Sequence, residues 1–207
     1  MSLPSIIRVH QIVDYYYCSE RSRLNVLYGL ENPVTGELEC GSLVHQWLEQ
    51  RPKTRGELVL LEALKPYYPY TRTFNGFQII GHPDDLTLLK KTRVQVVEYK
   101  TVDSQSLKQW KTCLARFQTQ IYAWILEPIL TQIGYSLAHN HKVVYLSRSG
   151  VFIKKLGVEH DPHCVERKIT EILGFWETGE PLIKPFKWKC RLCPEVFKER
   201  CRVHEQL

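Results

Sequence analysis

No run in this 207-residue chain reaches the roughly eighteen apolar positions that a bilayer-crossing helix needs. The start also lacks a basic segment followed by an apolar core and a cleavage site, so a cytoplasmic protein is expected. There is no internal repeat and no low-complexity run, which excludes a solenoid. No G-x-x-x-x-G-K-[ST] loop is present, so the chain is not itself a nucleotide-driven motor, and any motor partner is another chain. The seven cysteines cannot all pair within the chain, and in a reducing compartment metal ligation explains four of them better than a disulfide framework. The other three, Cys40, Cys113 and Cys164, are expected as buried thiols.

With 43% hydrophobic residues the chain can build one sizeable core, and a single domain with appendages is expected. Lys and Arg outnumber Asp and Glu by 28 to 22, a net +6 compatible with a polyanionic partner. The distribution is more informative than the sum. Lys184, Lys187, Lys189, Arg191, Lys198, Arg200 and Arg202 are interleaved with Phe186 and Trp188, a pattern that can grip nucleic acid through phosphates and stacking, or be a solvated tail with two core aromatics.

The strongest local signal is Gly81-His82-Pro83-Asp84 followed, fourteen positions after that Asp, by Glu98-Tyr99-Lys100-Thr101. Val94 to Lys100 is rich in β-branched residues and reads as a strand, so Glu98 and Lys100 project from one face. Phe77 to Gly81 reads as another strand, and a hairpin from Leu86 to Val94 brings Asp84 beside Glu98. Two carboxylates then meet over one divalent ion. Oxygen ligands suit magnesium or manganese, which can activate a bound water and neutralise charge on a phosphodiester under attack, with Lys100 holding or deprotonating that water. Of the adjacent pair, Asp84 is expected to join Glu98 while Asp85 caps or faces solvent, because neighbouring strand residues point opposite ways.

A coarse pass predicts a helix from about Val9 to Tyr28, a second holding His45, and strands from about Leu58 to Lys100 with turns at Pro66, Asn75-Gly76 and Lys90-Lys91. A long helix from Leu107 to Ile133 follows, then a hairpin of Lys142 to Ser147 and Val151 to Lys155, a helix from Pro162 to Glu177 and an irregular cysteine-bearing tail. The class is α/β with a central mixed sheet. Tyr15, Tyr16 and Tyr17 read as core packing, and His139 and His141 as surface residues.

The order of these motifs resembles the PD-(D/E)xK nuclease superfamily, and further features resemble its RecB-like, iron–sulfur branch. Gly41-Ser42-Leu43-Val44-His45 matches the family's G-x-x-x-H, and Gln118-Thr119-Gln120-Ile121-Tyr122 matches its Q-x-x-x-Y. Cys18, in Tyr17-Cys18-Ser19-Glu20-Arg21, and the trio Cys190, Cys193 and Cys201 frame the chain as four cysteines do in that branch. The resemblance implies a restriction-endonuclease-like α/β core at about 38–180. Its N- and C-terminal segments, about 8–30 and 184–204, would be joined at a [4Fe-4S] cluster on Cys18, Cys190, Cys193 and Cys201. It implies Mn2+ or Mg2+ held by His45, Asp84, Glu98 and the Tyr99 main-chain carbonyl, with Lys100, Gln118 and Tyr122 completing the catalytic group. Arg21 and Arg23 stand where relatives also carry basic residues. With Lys187, Trp188, Lys189 and Arg191 they are candidate DNA contacts.

The CRISPR-associated exonucleases of spacer acquisition are the members most resembled. An exonuclease acting on single-stranded ends or overhangs, 5′ to 3′, with DNA and the CRISPR integrase complex as partners, is therefore expected. A stand-alone repair or viral end-processing nuclease, and a DNA-end-binding subunit with little activity alone, are the rival readings. Two departures bear on the cluster. Cys193 and Cys201 stand further apart than the resemblance implies, and C-x-x-C beside His204 also suits zinc or a mixed ligand set.

Overall fold

The continuous buried run of residues 94–98 and the long helical stretch of 109–132 produce a sheet with a helix packed on it. In a computed structural model, residues 3–31, 36–102, 109–180, 187–191 and 193–202 are described. In chain order these form β1 (Ile6–Arg8), α1 (Val9–Tyr17), α2 (Ser19–Tyr28), α3 (Gly36–Glu49), α4 (Arg55–Leu64), β2 (Tyr70–Phe74), β3 (Phe77–Gly81), β4 (Asp85–Lys90) and β5 (Arg93–Val102). They continue as α5 (Gln109–Gln132), β6 (Ser136–Leu137), β7 (Asn140–Ser147), β8 (Phe152–Glu159), α6 (Pro162–Thr178), α7 (Lys187–Arg191) and α8 (Glu195–Lys198). Among the described residues no helix is long and apolar enough to cross a membrane.

The chain divides into two compact units, one of Val34–Arg72 and Ile80–Val165, the other of Met1–Pro33, Thr73–Ile79 and Glu166–Leu207. The first holds a mixed sheet in the order β4-β5-β7-β8, with the short β6 also pairing β5. β4 and β5 are antiparallel, with Asp85 opposite Val97, so Asp84 reaches the level of Glu98. β5 and β7 are parallel, a pairing that needs a long crossover, and α5 supplies it. From Val94 to Glu98 every residue of β5 is buried, as for a strand covered on both faces. Glu98 is the last of that run, where the strand begins to open to solvent.

Three local readings are corrected here. Arg55–Leu64 is a helix rather than a strand: Thr54 Oγ1 accepts the Glu57 N–H at 3.2 Å while the Glu57 carboxylate accepts the Thr54 N–H at 2.8 Å, a capping box spelled out in Thr54-Arg55-Gly56-Glu57. Cys113 is exposed and Cys164 half-buried rather than buried, while the Cys40 side chain lies outside the described residues. His141 is fully buried rather than on the surface, because it falls inside β7 on the covered face, whereas His139 is exposed and pairs with Glu159 at 3.1 Å.

His141 makes stability depend on pH. Its Nδ1 accepts the Val96 N–H at 3.3 Å, and burial, reinforced by His160 and His139, pushes its pKa down to about 3. The folded chain therefore refuses a proton that the unfolded chain accepts near pH 6.5, and the stability held above that value is lost as pH falls towards 3. A loss of about 2–3 kcal/mol between pH 7 and pH 4.5 is expected from this residue. Urea midpoints at the two pH values measure it. In His141→Asn, whose Oδ1 can take the Val96 N–H without titrating, the drop is expected to shrink; an equal drop in both proteins would remove His141 as the cause.

In the other unit the expected single helix from Val9 to Tyr28 is two. Cys18 adopts an extended conformation, φ −158° and ψ 109°, between α1 and α2, which turns its side chain out of both helices. The Trp176 Nε1–H donates to Ser22 Oγ at 3.2 Å, and Ser22 Oγ–H donates to Gln11 O at 2.7 Å, tying α6 to both helices. Glu20 is fully buried and receives a bidentate pair of 2.9 Å hydrogen bonds from Arg202, the fork geometry that makes Arg–carboxylate pairs strong. Arg202 also donates to Gly179 O at 2.8 Å. Gly179 takes φ +74°, a conformation strained for any other residue, and a Cβ there would stand 2.9 Å from the Arg202 guanidinium, which would have to shift.

Candidate metal centre

Four elements bring the expected catalytic group together: α3 carries His45, the turn before β4 carries Asp84, β5 carries Glu98, Tyr99 and Lys100, and α5 carries Gln118 and Tyr122. His45 Nδ1 lies 3.1 Å from Asp84 Oδ1, and the other Asp84 oxygen accepts the Tyr99 N–H at 2.7 Å. Lys100 Nζ donates to Glu98 Oε1 at 2.6 Å, the contact that their shared strand face dictates. Gln118 Nε2 donates to the Tyr122 hydroxyl at 2.9 Å, one helical turn on.

Burial sets the electrostatics. Glu98 is 1% exposed, and desolvation, with Asp84 repulsion working against Lys100, pushes its pKa up to about 7. Asp84 also pays for burial, yet the His45 hydrogen bond and charge, followed by Lys100, hold it below the ordinary carboxylate range. Its hydrogen bond to Asp84 raises His45. Burial works against the Lys100 charge, but Glu98 and Asp84 outweigh it and leave its pKa raised. Burial likewise raises the Tyr122 hydroxyl, with the Glu98 charge adding to it.

Among the described residues no three His, Cys, Asp or Glu side chains already surround one point as metal ligands. The carboxylates are instead bonded to His45 and Lys100. The donor set nevertheless fits a hard divalent cation. Glu98 Oε2 is buried with no hydrogen-bond partner among the described residues, and a buried carboxylate oxygen left in that state is costly unless a cation satisfies it.

Asp85 does not face solvent. It is 6% exposed, because β4 turns it away from Glu98 into a buried ionic network. Arg51 Nε donates to Asp85 Oδ2 and Lys53 Nζ to Asp85 Oδ1, each at 2.5 Å, and Arg51 also binds Glu57 at 3.2 Å. The Tyr99 hydroxyl reaches Asp85 Oδ2 at 3.4 Å, and burial and the Asp85 charge push its pKa up to about 12. Arg51, Lys53 and Glu57 thus tie the chain after α3 to the strand start behind Asp84. Only the capping box among these contacts had a signal in the sequence, since Arg51 and Lys53 pair with a residue more than thirty positions away.

In the other unit, Cys18, Cys190, Cys193 and Cys201 line one cavity with Tyr17, Arg21, Lys189, Phe197 and Lys198. The thiols perturb one another. Burial raises Cys18, with Cys201 and Cys190 adding to it, and burial together with Cys18 pushes Cys193 up to about 11. Among the described residues these thiols do not already surround one point as metal ligands, although they share the cavity. Arg21 pairs with Asp14 at 3.6 Å and Arg23 with Glu20 at 3.8 Å, both guanidinium groups being largely buried. Lys189 donates to Tyr17 O at 2.8 Å, and Arg191 is exposed. The Lys187 and Trp188 side chains, with Lys184, Phe186 and His204, lie outside the described residues. Tyr16 is exposed rather than in the core, while Tyr17 is sandwiched by Arg21 at 4.3 Å and Lys189 at 4.6 Å.

The model of the PD-(D/E)XK nuclease superfamily matches residues 57–202. No curated protein matches the chain. Among solved structures, the crystal structure of SSO0001 is similar in fold, with a TM-score of 0.58 at 20% identity, covering 99% of this chain and 89% of that one.

Proposed function

Because the chain belongs to the PD-(D/E)XK nuclease superfamily, we propose that it is a metal-dependent deoxyribonuclease that shortens single-stranded DNA ends or overhangs. The observation that carries this reading is the pairing of Asp84 with a buried Glu98 whose one oxygen has no partner among the described residues and whose other is bonded to Lys100. His45, Asp84, Glu98 and the Tyr99 main-chain carbonyl would hold Mn2+ or Mg2+. When bound, such an ion supplies a more acidic water and offsets charge growing on the phosphodiester. Lys100, fixed by Glu98, orients that water or the scissile phosphate. Gln118 and Tyr122, bonded to each other, brace the strand being cut. The Asp85 network holds the β4 start, and with it Asp84, in register with Glu98.

The four cysteines around one cavity, with Arg21, Lys189 and Lys198, support an iron–sulfur cluster that staples the two ends of the chain. The motif order, G-x-x-x-H through Q-x-x-x-Y within a cysteine frame, supports a place in CRISPR spacer acquisition, where such nucleases trim precursors for an integrase. End-labelled single-stranded, blunt and overhang-bearing DNAs incubated with manganese test the activity. Shortening confined to single-stranded ends is expected, and cutting of blunt duplex interiors at the same rate would overturn the substrate assignment. Protein prepared without oxygen is expected to be brown, with iron and sulfide in equal amounts. Cys190→Ala is expected to lose the colour and lower the thermal midpoint. A colourless, zinc-containing wild type would discard the cluster and leave the nuclease.

A further inference from the structure

Helix α3 presents a second feature beside His45. Leu43 and Trp47, one turn apart, are 65% and 64% exposed, and with the buried Val44 they form one wall of a groove of about 330 Å³. The rest of its lining is the turn between β7 and β8, Arg148, Ser149 and Gly150. That turn is firmly built. The Gly150 N–H donates to Ser147 O at 2.9 Å, the Val151 N–H donates to Ser147 Oγ at 3.1 Å, and the Ser147 and Ser149 hydroxyls are 2.7 Å apart. Gly150 takes φ +79°, which a two-strand connection this tight requires. Arg148 is therefore carried on a fixed turn that lines the same groove as an exposed indole.

We propose that this groove is a nucleotide subsite for single-stranded DNA, in which a base stacks on Trp47 against Leu43 while Arg148 holds the adjoining phosphate. This rests on the nuclease reading, since it assigns that site a substrate-holding flank. Three observations favour DNA over a protein partner. Among the described lining residues the only charge is the guanidinium of Arg148, complementary to phosphate. An exposed aromatic opposite a cation is the combination that tracks single strands without sequence preference, since every base has a π-face. The groove also shares helix α3 with the candidate metal centre, since that helix carries His45, which is bonded to Asp84.

The test is anisotropy of fluorescein-labelled oligo(dT) in EDTA, where nothing is cut. Trp47→Ala is expected to weaken binding about tenfold or more, Trp47→Phe to recover most of it, and the Trp47→Ala loss to vanish on an abasic oligonucleotide. Arg148→Ala is expected to weaken binding and to lower the slope of log affinity against log salt by about one. Wild-type affinity in both alanine variants overturns the subsite, including the case in which they lose a protein partner instead. So does a wild type that does not bind oligo(dT) at all. Cleavage by wild type with manganese, measured in parallel, separates the two claims. Cutting with unaltered binding in the variants sinks the groove and keeps the nuclease, whereas Trp47-dependent binding with no cutting under any divalent ion keeps the groove and sinks the nuclease.

Discussion

Glu98→Gln is expected to lower manganese-dependent DNA cleavage by about a thousandfold, the effect of removing several kcal/mol of metal-centred transition-state stabilisation. Glutamine preserves the side-chain volume, and its carbonyl oxygen can still accept the Lys100 hydrogen bond now made to Glu98 Oε1 at 2.6 Å. What it removes is the negative charge beside Asp84. Because Glu98 lies at the end of a fully covered stretch of β5, the charge it loses was costly to bury, so the variant is expected to fold and melt like wild type. Initial rates on end-labelled single-stranded DNA, with circular dichroism melts in parallel, check both halves. A Glu98→Gln protein cutting within tenfold of wild type would move the chemistry elsewhere.

Asp85→Ala carries the largest expected effect on stability. The side chain is 4% exposed and bonded to both Arg51 and Lys53, so its removal strips Lys53 of its carboxylate partner and leaves Arg51 to Glu57 alone, both cations being largely buried. Breaking a buried pair from one side costs about 3–5 kcal/mol, more than the pair itself contributes, because the remaining charge has no solvent. For a chain of this size that corresponds to a fall in the thermal midpoint of about 6–20 °C. Replacing Arg51 is expected to cost less, since Lys53 still answers Asp85 and Thr54 still caps Glu57. Activity is expected to fall as well, at temperatures where the variant is folded, because the network fixes the β4 start next to Asp84. A variant as stable as wild type would show that Arg51 and Lys53 reach solvent more freely than their burial allows.

The parts of this molecule that sequence made legible are those written in short-range periodicity. Glu98 and Lys100 share a strand face at a spacing of two, the hairpin from β4 to β5 returns Asp84 to the level of Glu98, and Gln118 reaches Tyr122 at a spacing of four. Long-range electrostatics was not legible. Asp85, expected to cap or to face solvent, is buried in an ionic network whose partners, Arg51 and Lys53, come from a connection that carries no motif. The break at Cys18 was hidden because residues 9–28 keep an unbroken helical pattern, and only the extended backbone of that one residue splits it. His141 lay among polar neighbours, and its burial follows from pairing with β5 and β8, which local composition does not report. Arg55–Leu64 was the avoidable error, since Thr54-x-x-Glu57 spells a helix start.

The most direct test is a manganese titration of metal-free protein followed by electron paramagnetic resonance, comparing wild type with Asp84→Asn and Glu98→Gln. If His45, Asp84 and Glu98 form the metal centre, wild type removes one equivalent of the free-ion signal per chain and each variant leaves that signal in solution. Equal uptake of manganese by all three proteins would contradict it.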